Sequence, residues 1–208
     1  MSIWIWGIAL VIYFFFIGWY FNWLGPLKAY EVDQYVKAFA ENSGSKNTDV
    51  DILRRFLEQD DGKEFIMQNF VKLHKGKVIH PETGQETAPG KLVGGYIGPF
   101  VKALFKRGGH PVLRASKVGG YIDSWEYDSD PEWGAVAMMR YKSRRDLVEL
   151  MLDPQFSDMH VFKMLAIEKT VSFPLQMQFS FFMNPKFSVP LILLLLASLV
   201  QNLLFFLR

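Results

Sequence analysis

The sequence predicts an α+β domain that lies between two membrane-spanning helices. Two observations support this prediction. The chain of 208 residues carries its uncharged, apolar stretches at its two ends, residues 3–24 and 188–207. All but one of its Lys, Arg, Asp and Glu residues lie between those stretches, where helical and strand-like patterns follow one another.

The charge and residue composition exclude several classes of function. The net charge is +2, from 23 basic and 21 acidic residues, which is too balanced to predict a nucleic-acid surface. The chain has no Cys, which excludes disulfides, thiolate nucleophiles and Cys-ligated metal centres. Its four His residues form neither an HxxxH nor an HExxH pair, so we expect no metal site.

The first apolar stretch, residues 3–24, has the length of a membrane span, since about 22 residues make about 33 Å of helix. Indoles lie near both of its ends, as in an interfacial aromatic belt: Trp4, Trp6, Trp19 and Trp23. Gly25-Pro26 then ends the helix. The alternative is a cleaved signal peptide, but the stretch lacks a basic start and a small-residue cleavage site. We expect it to be retained as an anchor.

The second apolar stretch, residues 188–207, is centred on the leucine run 191–196. Gln201 and Asn202 are polar but uncharged, and they can bond to a neighbouring helix. The Phe-rich residues 179–187 are predicted to lie at the membrane interface. The alternative is a buried core helix of a soluble protein.

The distribution of basic residues predicts which side of the membrane holds the central domain. Lys28, Lys37, Lys169 and Lys186 lie near the spans on the domain side, whereas the terminal side offers Arg208 and the amino terminus. The positive-inside rule therefore favours a cytoplasmic domain, in an integral protein of a bacterial inner membrane.

We divide the chain into four segments. Residues 1–26 form the first membrane helix and residues 27–62 a helical linker. Residues 63–178 form the α+β domain. Residues 179–208 form the interfacial segment and the second membrane helix.

Two helices are predicted directly after the first span. Tyr30 to Ala40 has a helical pattern and is followed by a polar loop over residues 41–45. Asp49 or Asp51 is suited to cap a second helix that runs through Leu57.

Four strands and three helices follow, the last two helices lying in succession between the third and fourth strands. Glu64 to Leu73 is largely apolar on both faces, which indicates a central strand. Ser143, with Asp146 three residues later, resembles a capping box for a helix that ends at Met151. The remaining predicted elements are a polar loop over 74–89, a helix over 91–107, a strand over 111–122, an acidic loop over 123–132, a strand over 133–141, a helix over 156–169 and a strand over 170–177.

The resulting order is strand, helix, strand, strand, helix, strand. This is the order of a ferredoxin-like split βαβ fold, in which an antiparallel sheet carries helices on one face. The other face needs a cover, which a second subunit, the helices of residues 27–57 or the membrane can supply. We expect a second subunit, and therefore a dimer or a higher oligomer.

Residues 139–156, MRYKSRRDLVELMLDPQF, resemble the small dimeric α/β-barrel proteins of the DUF1330 and EthD-like kind. In that family a strand ends in a basic-aromatic pair, a Ser caps the following helix and Asp-Pro closes it. The similarity extends over about residues 50–177. It implies a dimeric barrel, but the family contains cofactor-free monooxygenases, isomerases and haem enzymes, so the fold alone selects no reaction.

Five side chains are candidates for ligand binding: Asn69, Tyr96, Trp125, Arg140 and His160. His160 and Arg140 are also the candidates for catalysis, His160 as a base and Arg140 as a bidentate donor to an anion. Each has a structural alternative: a bond to backbone for Asn69, core packing for Tyr96, a lipid contact for Trp125, an ion pair with Glu168 or a second subunit for Arg140, and a cap or a pair with Asp158 or Glu168 for His160. A lone helical His is more often structural than a haem ligand, so we expect no cofactor.

The function expected from these observations is that of a membrane-anchored module. It either binds a small apolar ligand or serves as an accessory subunit of a larger membrane complex. A cofactor-free enzyme for a lipid-soluble substrate and a purely structural oligomer are the two alternatives.

Overall fold

The chain forms two units that we describe separately. The structure, a computed structural model, describes residues 3–41, 48–126, 129–178 and 184–207, and of residues 157 and 158 the backbone alone. One unit comprises residues 1–23 and 177–208, and the other comprises residues 24–176. The predicted polar loop at 41–45 and the predicted interfacial segment at 179–187 lie largely outside the described residues.

The terminal unit contains two helices, α1 (Ile3–Tyr20) and α7 (Pro185–Phe206), each long and apolar enough to cross a membrane. Only 6% of the apolar 18-residue stretch of each helix is buried, whereas the core helix of a soluble protein is mostly buried. The helices pack antiparallel: the Trp6 indole donates to Gln201 Oε1 at 2.5 Å, and the Lys186 ammonium lies 5.4 Å from the ring centre of Phe21 near the opposite end. The predicted bond of Gln201 to a neighbouring helix is therefore present.

The central unit is built on a four-stranded antiparallel sheet. Its strands are β1 (Phe65–Leu73), β4 (His110–Ser116), β5 (Ala135–Tyr141) and β6 (Ile167–Leu175), in the order β4-β5-β1-β6. The strand predicted as central, β1, pairs with a neighbour on each side.

Three helices cover one face of this sheet: α4 (Pro89–Lys106), α5 (Arg144–Met151) and α6 (Gln155–Ala166). Alternate residues of β1 and β5, such as Phe65 and Tyr141, pack with Leu104 of α4 and Leu150 of α5 in one buried cluster. The α5 helix begins as predicted, since the Ser143 hydroxyl accepts from the backbone N–H of Asp146 at 3.1 Å.

The two helices before the sheet, α2 (Ala29–Glu41) and α3 (Val50–Glu58), form a further layer behind α5. Asp49 caps α3, as predicted, with Oδ1 accepting from two backbone N–H groups. Their apolar faces share a buried cluster with Val148 on the outer side of α5. An ion pair of 3.0 Å between Arg145 and Glu31 fixes α2 to α5.

The second face of the sheet, which we call the outer face, consists of the alternate residues that point away from the three helices. The strand register gives its members as Ile66, Gln68, Phe70, Lys72, His110, Leu113, Ala115, Val136, Met138, Arg140, Lys169, Val171, Phe173 and Leu175. None of them belongs to the buried clusters that the helices form in the described part of the chain. Leu113, Val171, Phe173 and Leu175 are each 38–43% exposed. The outer face is thus largely apolar and partly open.

Three predicted elements need correction. The loop predicted over 74–89 contains a short hairpin of β2 (Val78–Ile79) and β3 (Glu86–Thr87). The strand predicted over 111–122 ends at Ser116, opposite Ala135, where β5 begins. The last strand starts at Ile167 instead of 170, because Ile167 and Lys169 already pair with β1.

Candidate functional site

The ring of Tyr96 on α4 is the centre of the candidate site, which we call the Tyr96 site. Phe100 stacks on it at 5.6 Å between ring centres, and Phe156 meets it edge-on at 6.2 Å. From α6, the His160 ring lies edge-on at 6.4 Å, and the Lys163 ammonium lies 5.9 Å from the ring centre. Two of the predicted site residues, Tyr96 and His160, are therefore neighbours.

The packing of α4 against α6 brings these side chains together. The two helices meet where Gly95 faces Phe162, since a Cβ atom at Gly95 would be in ordinary van der Waals contact with the Phe162 ring at 3.6 Å. On the sheet side, Tyr96 packs against the cluster that contains Phe65 and Tyr141. The site therefore lies at the layer between the helices and the sheet.

Burial controls the charge state of the site. Burial raises the pKa of Tyr96 to about 12, so its hydroxyl stays neutral and can donate at pH 7. Burial, and to a lesser degree the charge of Lys163, lowers the pKa of His160 below its ordinary value, which favours a neutral imidazole. Burial also lowers the pKa of Lys163.

Two polar groups of the site have no hydrogen-bond partner among the residues that the structure describes. Among the described residues, neither the Tyr96 hydroxyl nor the Lys163 ammonium makes a hydrogen bond, and no carboxylate pairs with Lys163. In the described part of the chain, every fully buried side-chain N or O atom has a hydrogen-bond partner. Since the Tyr96 hydroxyl and the Lys163 ammonium have none, they are not fully buried, and solvent can reach both.

Lys163 was not among the residues predicted from the sequence. The signal that points to it is its spacing, since residues three apart on a helix share a face and His160 had already been selected. The sequence does not show that Tyr96, on the opposing helix α4, lies beside Lys163.

Arg140 lies away from this site, at the end of β5 on the outer face, where it is buried. Its Nε donates to Glu64 at 2.9 Å, its Nη2 bonds to the same carboxylate, and its Nη1 donates to the Gly108 carbonyl. The expected ion pair thus involves Glu64 and not Glu168, which lies 2.7 Å from Lys72.

Asn69 lies on the face of β1 that the helices cover. Its amide nitrogen donates to the carbonyls of Met67 at 3.2 Å and Ala137 at 3.3 Å, and its oxygen accepts from Ser172 at 2.7 Å. The hydrogen-bonding groups of Asn69 are therefore engaged within the sheet.

Trp125 lies in the long connection between β4 and β5 and is 87% exposed. Within the part of the chain that the structure describes, no hydrogen bond or ring contact joins it to the other four candidate residues. Val118 and Ile122 in the same connection are also fully exposed.

A separate cleft of about 300 Å³ lies beside the β2–β3 hairpin. It is lined by His80, Thr83, Gln85, Glu86, Thr87, Lys91, Leu92 and Gly95. His80 uses Nδ1 to accept from the backbone of Glu82 at 3.2 Å, which is a turn-forming role. Among the described residues, no group of three or more His, Asp or Glu side chains is arranged to hold a metal ion.

Comparison with known proteins identifies a fold but no family. No protein-family model matches the chain, and no curated protein matches it. Two solved structures are similar to it, both of the RPA0582 protein of unknown function from Rhodopseudomonas palustris.

The crystal structure of RPA0582 has a TM-score of 0.50 and 20% sequence identity, and the match covers 62% of this chain and 94% of that one. The methylated form of the same protein gives 0.50 and 22%, over 63% and 93%. At this identity the similarity concerns the fold alone. It supports an α+β fold with an antiparallel sheet and carries no information about activity.

Proposed function

We propose that the chain is a membrane-anchored, dimeric α/β-barrel protein that binds a small ligand between its sheet and its helices. The observation that carries the ligand-binding part is the Tyr96 site. Tyr96, His160 and Lys163 meet there among aromatic rings, and two of their polar groups lack a partner in the described chain.

The Tyr96 hydroxyl and the Lys163 ammonium are accessible, so both can meet a ligand with a polar end directly. Such a ligand takes the place of water at the hydroxyl of Tyr96, and its apolar part gains contact with the ring of Phe100. Pockets that combine apolar walls with a few polar groups are typical of small-molecule sites.

The test uses the four His residues as reporters in the full chain, held in lipid nanodiscs. Their imidazole signals are assigned by single His→Gln variants and followed by NMR as 2-naphthalenemethanol or 2-naphthoate is added. We expect a saturable shift of His160, while His74, His80 and His110 serve as internal controls. No shift of His160 by either probe up to about 1 mM would contradict ligand binding here.

The fold and dimer parts of the proposal rest on the sheet. The strand order β4-β5-β1-β6, with helices on one face, supports the ferredoxin-like split βαβ arrangement and the resemblance to DUF1330 and EthD-like proteins. Helices α2 and α3, which were one possible cover for the outer face, pack behind α5 instead. A second copy of the sheet is the cover that we propose, because an apolar face of this kind is unusual on a monomer.

The membrane part rests on α1 and α7 and on the Lys residues beside them. We propose an integral protein of a bacterial inner membrane, with the central unit on the cytoplasmic side, either alone or in a larger membrane complex. Protease added to intact cells should leave the central unit uncut. Rapid digestion under those conditions would reverse this orientation.

A cofactor-free enzyme is the second candidate, and the position of the His160 imidazole beside the ring of Tyr96 is the observation that favours it. A neutral imidazole at pH 7 can accept a proton from a bound substrate. Loss of turnover in a folded His160→Ala variant that still binds the ligand would distinguish this function from binding alone.

A further inference from the structure

We infer that the ligand of the Tyr96 site is a small organic anion, such as a carboxylate with an aromatic or aliphatic body, and that Lys163 is the residue that selects for its charge. This inference rests on the proposed ligand-binding function and names the chemical class of the ligand. The candidates derived from the sequence did not include Lys163.

The argument begins with the surroundings of the ammonium. Lys163 is partly buried on α6, and its Nζ faces the ring of Tyr96 at 5.9 Å. A contact at that distance is near the outer limit for a cation–π interaction, and it leaves the N–H donors of the ammonium without acceptors. Among the described residues, no Asp or Glu lies within ion-pair distance of Lys163.

Other largely buried Lys and Arg side chains of the central unit have carboxylate partners, unlike Lys163. Lys72 pairs with Glu132 and Glu168, Arg140 with Glu64, and Arg145 with Glu31. Lys163 keeps a charge in partly apolar surroundings without this compensation. An anion at this position would supply it.

The neighbouring groups fit the other parts of such a ligand. The neutral Tyr96 hydroxyl is a hydrogen-bond donor, and an accessible one, so it suits a carboxylate oxygen. His160, whose pKa is lowered by burial, can donate from a ring nitrogen as well. Phe100, which stacks on the Tyr96 ring and is only partly buried, offers apolar surface to the body of the ligand, whereas Phe156 is buried in the core. No acidic side chain in the described contacts of the site would repel the anion.

The experiment compares two probes of equal shape and different charge. Binding of 2-naphthoate and of neutral 2-naphthalenemethanol is measured by titration calorimetry on the full chain, in nanodiscs of phosphatidylcholine, with empty nanodiscs subtracted. The variants are Lys163→Met, which removes the charge and keeps the chain length, and Lys163→Arg, which keeps the charge. Lys102→Met, at an exposed position of α4, is the matched control for net charge.

We expect Lys163→Met to weaken naphthoate binding by about tenfold or more, which is the usual effect of losing a charge-assisted hydrogen bond. Lys163→Arg and Lys102→Met should each stay within about threefold of the original affinity. The affinity for 2-naphthalenemethanol should change little in all three variants. Circular dichroism checks that each variant is folded, and Lys163→Gln replaces Lys163→Met if the latter is not.

Three results would overturn the inference. Naphthoate binding that falls equally in Lys163→Met and Lys102→Met would show a general charge effect. Equal binding of both probes in every variant would show an apolar site without charge selection, and the proposed ligand-binding function would then survive alone. Absence of binding by both probes, with no shift of His160, would remove the proposed function as well.

Discussion

Replacing Arg140 by Met tests whether this residue stabilises the fold or serves a ligand. Its guanidinium makes two bonds to Glu64 and one to the carbonyl of Gly108, and its side chain is only 5% exposed. The Met variant keeps much of the volume and removes all three bonds. Glu64 then loses the guanidinium, while 28% of its side chain remains exposed to water.

The size of the effect follows from that exposure. Breaking a fully buried ion pair on one side costs about 3–5 kcal/mol, because a buried charge is left uncompensated. Water reaches part of the Glu64 carboxylate, so we expect a loss of about 2–3 kcal/mol in the free energy of unfolding. For a domain of this size that loss lowers the melting temperature by about 5–10 °C.

The assay is thermal unfolding of the full chain in detergent micelles, followed by far-ultraviolet circular dichroism. Arg114→Met, at an exposed position on the neighbouring strand β4, is the control and should melt within about 2 °C of the original chain. If Arg140→Met melts as high as this control but loses affinity for 2-naphthoate, the stabilising role is refuted and the ligand role predicted from the sequence gains support.

Three further predictions concern the helix cap, the candidate site and the outer face. Ser143→Ala should lower the free energy of unfolding by about 1–2 kcal/mol, as measured by thermal melting, because the buried hydroxyl caps α5, whereas Ser116→Ala on exposed β4 should change it little. By NMR, His160 should titrate below the ordinary pKa of His, and Lys163→Met should raise the pKa of His160 by removing a nearby positive charge. Acidification through the ordinary pKa of His should destabilise the fold, because the unfolded chain takes up this proton at a higher pH than the folded chain does. Phe173→Glu should convert the proposed dimer to a monomer in mass measurements by light scattering, whereas Ser116→Glu, on the opposite side of the sheet, should not.

The start of α5 was predictable from the sequence because its determinants are local. A Ser at the cap position and an Asp three residues later specify the first turn without help from the rest of the chain. The amphipathic helix over residues 29–41 and the capped helix after Asp49 were predictable for the same reason.

The boundary between α6 and β6 was not predictable in the same way. Ile167, Glu168 and Lys169 suit a helix as well as a strand, and pairing with β1 decides for the strand. That pairing joins residues about a hundred positions apart, so no local pattern reveals it. The end of β4 at Ser116 likewise depends on where its partner β5 begins.

The candidate site shows the same division between local and non-local information. The residue types of Tyr96 and His160 pointed to a polar function, and their helices were correctly predicted. Their proximity depends on the docking of α4 against α6 at Gly95 and Phe162, which is a tertiary contact. The sequence marks Lys163 only by its helical spacing from His160, and Lys163 becomes a candidate because no carboxylate pairs with it among the described residues.

The outer face and the two spans are best understood together. The exposed apolar residues of the outer face have only about two fifths of their surface accessible, so pairing two outer faces buries less apolar area per residue than a domain core does. Two copies anchored in one bilayer share a plane, and this confinement raises the effective concentration of one sheet for the other. If two outer faces pair as proposed, a contact too weak for dilute solution would therefore suffice in the membrane. The dimer affinity of the full chain in a bilayer should exceed that of residues 24–176 in water, although the contacting surface is the same. An equal affinity in both settings would mean that the sheets alone provide the association and that the spans contribute nothing to it.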